Sequence, residues 1–190
     1  MVAGYHLIWT VYGYWLPNDI RGSTSTEVRV ASIKDLAALH YGRKPAQPSS
    51  KELRTFLGRA HDELKHSVHT LSQDDIAVVG KAFATLVAER RYLCYACAIM
   101  PDHVHILVRR NPDRAEEMIK QFQDASRQAL IHTGDWGATH PVWTQGGWKG
   151  FMNSQKDFQR TIEYIRANPK EIKLPEQLWD FVVPYDGWLP

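Results

Sequence analysis

Residues 92–109 read as two apolar runs, 92–100 and 103–109, broken by Pro101-Asp102. Proline presets the turn backbone and aspartate bonds its own main chain, so this punctuation predicts a β-hairpin. In the second run His103 and His105 alternate with Val104, Ile106 and Val108. A strand projects residues i and i+2 from one face, so both imidazoles point the same way and form a ready pair of metal ligands. A lone histidine in a half-buried strand is commonly a core residue bonded to a neighbour. A third ligand and a reactive group separate the two readings.

Both are present downstream. Residues 155–168 read as a helix capped by Ser154 and stopped at Pro169, with Phe158, Ile162 and Ile165 on its buried face. Tyr164 and Asn168 are four apart and therefore stack on a neighbouring stripe, from which one helix can offer a phenol and an amide oxygen to one site.

The remaining pattern gives an architecture. A strand over 4–11 precedes a Gly-, Pro- and Ser-rich loop over 12–25, and residues 26–49 are irregular with a short helix at about 33–39. Helices are expected over about 50–66, capped by Ser50, over 72–90, opened by Ser72, and over 113–132, and a last strand from 142–144 and 148–152, after a glycine-rich link. Strand, helix, hairpin, helix, strand is the order of an α+β ferredoxin-like sandwich, an antiparallel sheet with helices on one face. To it are added a helical insertion at about 26–70, the tyrosine helix, and an apolar tail at about 170–190 that is expected to pack on its own chain. Residues 1–190 are read as a single domain.

No apolar run approaches the roughly 20 residues of a membrane span, and the amino terminus has no signal-peptide pattern, so a cytoplasmic protein is expected. Cys94 and Cys97 are three apart in a strand, face opposite sides, and lack a second pair to complete a zinc site. The formal net charge is only +2, so any phosphate-binding surface is local. Its candidate cations include Arg21, Arg43, Lys44, Arg109, Arg110, Lys120, Arg127 and Lys149. Seven tryptophans and eight tyrosines are available to stack on bases, and Trp148, among glycines and polar residues, is a candidate.

Three runs occur in order: the opening Tyr5-His6-Leu7-Ile8-Trp9-Thr10-Val11-Tyr12-Gly13-Tyr14-Trp15-Leu16-Pro17, then Met100-Pro101-Asp102-His103-Val104-His105, then Tyr164-Ile165-Arg166-Ala167-Asn168-Pro169. Together they resemble the single-tyrosine HUH transposases, and within them the REP-associated tyrosine transposases and related insertion-sequence enzymes. The likeness covers residues 3–15 and 72–169. It implies that His103 and His105 hold a divalent cation, magnesium or manganese, with Asn168 as third ligand, and that Tyr164 attacks a single-stranded DNA phosphodiester. The product is a 5′-phosphotyrosyl enzyme and a free 3′ hydroxyl, the chemistry of DNA transposition at hairpin or repeat sequences.

The chemistry asks for such groups on its own account. A phenol ordinarily titrates near 10, so a tyrosine nucleophile needs a nearby cation or base. By donor type alone, two imidazoles and an amide also accept zinc. Two other readings use the same residues: a metal-dependent phosphodiesterase that activates water, and a non-catalytic single-strand nucleic-acid binder. Monomer and homodimer both stay open.

Overall fold

The computed structural model describes residues 1–23, 25–133 and 136–190; Thr24, in the predicted loop, and Gly134 and Asp135, in the glycine-rich link, lie outside the described residues. The chain divides into two compact units, Met1–Val11 with Thr70–Pro190, and Tyr12–His69.

The first unit is built on β1 (Gly4–Thr10), β2 (Cys94–Ile99), β3 (His103–Arg109) and β4 (Trp148–Met152). They form one sheet in the order β2-β3-β1-β4 with every neighbouring pair antiparallel. Each helical crossover skips one strand, the arrangement of a ferredoxin-like α+β fold. The predicted hairpin is present: Met100 N donates to the His103 carbonyl at 2.8 Å and closes the turn.

Alternation along β1 sorts the side chains between the two faces. Trp9 meets Phe83 and Phe122, whose ring centroids lie 5.9 and 6.0 Å away. These rings come from α2 (Gln73–Arg90) and α3 (Ala115–Thr133), which pack on one face. Gly4 and His6 point the other way, where α4 (Gln155–Glu171) lies, with Phe158 and Ile165 fully buried. A Cβ on Gly4 would come within 2.6 Å of the Phe158 ring, so the missing side chain is what lets α4 settle on the sheet. The two helices of the sandwich thus share one face, and the tyrosine helix takes the opposite one.

Serine caps start the helices as the sequence suggests. Ser72 with Asp75, and Ser154 with Asp157, close reciprocal capping boxes at α2 and α4. The stop at Pro169 is corrected: α4 continues through Pro169 to Glu171. A proline removes one N–H, here at the last turn, and burial of Ile165, Asn168 and Pro169 holds the turn helical. Residues 142–144 do not join the last strand; they contribute only a bridge between Trp143 and Val11.

Arg91 ends α2 in the left-handed conformation at φ 54°, its N–H bonded to the Ala88 and Val87 carbonyls. Such a position favours glycine, and Arg91 is exposed. Arg91→Gly is expected to stabilise the protein by up to about 1 kcal/mol, the relief of left-handed strain exceeding the added freedom of the unfolded chain. Thermal unfolding followed by circular dichroism checks it, and a lowered midpoint would contradict it.

The tail packs along the outer edge of β2. Val183 N donates to the Cys94 carbonyl, and the Gln177 side-chain amide brackets Ile99, accepting from its N–H at 2.8 Å and donating to its carbonyl at 2.7 Å. Trp179 lies over Gly80, where a Cβ would clash at 2.1 Å. Cys94 and Cys97 are free and buried, and burial pushes both thiols up.

The second unit holds α1 (Ser50–Glu63), capped by Ser49 rather than Ser50, and a single 3-10 turn at Ala31–Ile33 in place of the expected short helix. Its core is Leu16, Ile33, Phe56 and Ala60. Asn18 is fully buried and donates to the Ile33 carbonyl at 2.6 Å, tying the loop to that core.

Candidate active site

Register places the histidines. In the antiparallel pairing of β1 with β3, Thr10 lies opposite His103, Ile8 opposite His105, and His6 opposite Leu107. Paired residues share a face, so His103, His105 and His6 all leave the sheet toward α4. The His103 and His105 ring centroids are 4.8 Å apart. Tyr164, on α4, meets this group edge-on, 5.4 Å from His105 and 6.1 Å from His6. It is half exposed, whereas His105 and His6 are buried at 4% and 6% exposure.

Each imidazole is tied by one nitrogen. His103 Nδ1 lies 2.7 Å from an Asp102 carboxylate oxygen, and His105 Nδ1 lies 3.0 Å from His6 Nε2. Burial drives the His6 pKa down to about 4. Burial also lowers that of His105, helped by the neighbouring His103 and His6, so both rings are neutral near pH 7.

Asn168 is buried one turn beyond Tyr164 and donates its amide N–H to the Tyr164 carbonyl at 2.8 Å, which leaves its side-chain oxygen as the available ligand atom. Trp148, on the same sheet face, is 45% exposed and stands edge-on to His6 at 5.8 Å. Its indole lies across Gly150, where a Cβ would come within 2.7 Å.

The sequence-predicted cations are spread over the molecule. Lys120 and Arg127 sit on α3, behind the sheet from the histidines; Lys120 pairs with Asp124, and Arg127 donates to the Ala138 and His140 carbonyls. Lys149 alternates with Trp148, faces α3 and pairs with Glu116. Arg109 stacks on Trp188 of the tail at 3.5 Å and lies 3.5 Å from Asp186. Arg110 is exposed just after β3. Arg21, Arg43 and Lys44 belong to the second unit, where Arg21 forms a 2.7 Å ion pair with buried Asp19 and lies over Trp15.

Sequence reasoning missed His6. Its signal was there in the strand alternation Gly4, His6, Ile8, but only the register across to β3 brings it beside His105.

The donor set suits a divalent cation. Two imidazoles share a face, and the Asp102–His103 pair has the carboxylate–histidine form that orients metal-ligating rings. Among the described residues no group of three or more His, Cys, Asp or Glu could hold a metal ion. A cation held by the two imidazoles would therefore need oxygen donors as well.

The site thus combines paired histidines and a half-exposed tyrosine on the face of a ferredoxin-like α+β sheet. No protein-family model matches the sequence, and neither does any curated protein. Similar solved structures include a REP-associated tyrosine transposase bound to a REP hairpin, at 16% identity and a TM-score of 0.45 over 59% of this chain. That match spans 65% of the transposase's own length, less than two thirds. A candidate transposase from Deinococcus radiodurans R1 aligns at 14% identity and a TM-score of 0.38 over 88% of this chain and 91% of its own.

Proposed function

We propose that this chain cleaves single-stranded DNA through Tyr164 and passes the bound strand to a new 3′ hydroxyl, the reaction of a transposase. The observation that carries this reading is a half-exposed phenol set edge-on to two buried imidazoles, 5.4 Å from His105. Tyr164 is held by a helix anchored on the sheet, so its half-exposed side chain is presented from a fixed backbone.

The phenolic oxygen bonds to phosphorus, the bond from phosphorus to the 3′ oxygen breaks, and the strand remains on Tyr164 by its 5′ phosphate. The phenol loses a proton and the departing 3′ oxygen gains one, so the step is neutral overall. The phosphoester count is unchanged, so a second 3′ hydroxyl can reverse the step without a nucleotide cofactor. His103 and His105, with the Asn168 oxygen, would hold magnesium or manganese, which when bound polarises a phosphate oxygen and stabilises the leaving oxygen. Neutrality leaves His105 a nitrogen lone pair, which a ligating imidazole must keep.

Hairpin-forming repeat DNA is the substrate class proposed, from the likeness of the three sequence motifs. Trp148 is the proposed stacking surface for a base next to the cleaved bond. Trp148→Ala is expected to weaken oligonucleotide binding by about 1–3 kcal/mol, roughly 5- to 150-fold. Fluorescence anisotropy with a labelled single strand reads this, and unchanged affinity would remove Trp148 from the interface. No helix among the described residues is long and apolar enough to cross a membrane.

Incubation with labelled hairpin oligonucleotides and manganese, followed by denaturing electrophoresis, tests the function. A slow-migrating protein–DNA band supports the reading. Cleavage without such a band favours water as nucleophile, and tight binding without cleavage, indifferent to chelators, favours a non-catalytic binder.

A further inference from the structure

His6 and His105 share one hydrogen bond, with His6 Nε2 3.0 Å from His105 Nδ1, and both rings are buried. A neutral imidazole carries a single ring hydrogen, so only two assignments satisfy this contact. If His6 Nε2–H donates, His105 carries its own hydrogen on Nε2 and has no lone pair to offer a cation. If His105 Nδ1–H donates, His6 keeps its hydrogen on Nδ1 and His105 Nε2 is bare.

The adjacent histidine shows which assignment the site is built around. The Asp102 carboxylate 2.7 Å from His103 Nδ1 can only accept, so His103 donates there and, when neutral, carries its lone pair on Nε2. A cation shared by both rings requires the same polarity at His105. His6 is the group placed to impose it.

We propose that His6 is a positioning residue: its Nε2 accepts from His105 Nδ1–H and fixes His105 as the tautomer whose Nε2 is open to a divalent cation. His6 then does for His105 what Asp102 does for His103. An imidazole performs this task without adding a second carboxylate beside a site that receives phosphate. It is not itself a ligand, because the nitrogen it turns toward the cluster is spent on His105. The choice of tautomer rests on the proposed function, because a shared cation is what selects it, but the tautomer is read with no cation present.

Two-bond proton–nitrogen correlation spectra of the metal-free full chain, labelled with nitrogen-15 in histidine, read the tautomer directly. The His105 signals are assigned by their loss in His105→Asn. Expected is hydrogen on His105 Nδ1 in the wild type, retention of that form in His6→Gln, whose amide oxygen can accept, and loss of it in His6→Leu. Hydrogen on His105 Nε2 in the wild type overturns the proposal, as does an unaltered tautomer in His6→Leu. Should His6→Leu fail to fold, the wild-type and His6→Gln spectra decide the matter.

Calorimetric titration with manganese alone supplies the second readout. His6→Leu is expected to lose about 10- to 100-fold in affinity, and His6→Gln to recover most of it. Unchanged affinity in folded His6→Leu overturns the positioning role. A wild type that takes up no manganese while showing the expected tautomer sinks the cation reading and leaves the His6–His105 assignment supported.

Discussion

Tyr164→Phe is expected to eliminate both DNA cleavage and the covalent adduct while leaving oligonucleotide affinity close to that of the wild type. The substitution removes one oxygen from a side chain that is half exposed and keeps the aromatic ring that packs against His105 and His6. Folding is therefore expected to be preserved, with only the proposed nucleophile lost. Losing the attacking group of an enzyme typically costs about 10⁴- to 10⁶-fold, below the floor of a gel assay. Persistent cleavage with no adduct would show that water attacks. A persistent adduct would place the linkage on another side chain.

The second large effect is on stability. Phe158 is fully buried, stacks on Tyr185 at 4.6 Å and 11°, and meets Tyr95 edge-on at 5.7 Å. It also fills the space above Gly4, so it joins α4, the sheet and the tail at one point. Phe158→Ala removes that ring and leaves a cavity, with an expected cost of about 3–5 kcal/mol. For a chain of this size that is a fall of roughly 6–20 °C in Tm, readable by calorimetry. Phe158→Leu is expected to lose much less. A midpoint within about 2 °C of the wild type in Phe158→Ala would show that α4 is not anchored through this ring.

The two predictions test separate layers, since one alters chemistry on a sound scaffold and the other loosens the scaffold beneath intact chemistry. Below its melting temperature Phe158→Ala is expected to depress cleavage more than binding, because the phenol's placement depends on α4.

The sheet was legible because its signals are local. Alternation around Pro101-Asp102 predicts the hairpin and the common face of His103 and His105, and a serine cap with an apolar stripe predicts the tyrosine helix. What escaped depends on contacts distant in sequence. His6 reaches His105 across 99 residues of chain, and the alternation that puts it on its face of β1 does not say what lies opposite. Pro169 reads locally as a stop, yet burial of Ile165 and Asn168 carries the helix past it. The basic residues were readable as charges but not as partners: Arg127, Lys149 and Arg109 each reach acceptors or rings set by tertiary packing. The capping role passing from Ser50 to Ser49 is a smaller matter, as both neighbours carry the same hydroxyl.

Gln177 imitates a neighbouring strand. By answering both main-chain groups of Ile99 with one amide, and with Val183 bonded to Cys94, the tail occupies the lateral border of β2 where another polypeptide could otherwise zip on. Lateral growth of the sheet is then left to the far border, along Trp148–Met152. Any second copy recruited by strand addition would arrive beside the exposed indole of Trp148, so that assembly and the proposed base stacking would compete for the same ground.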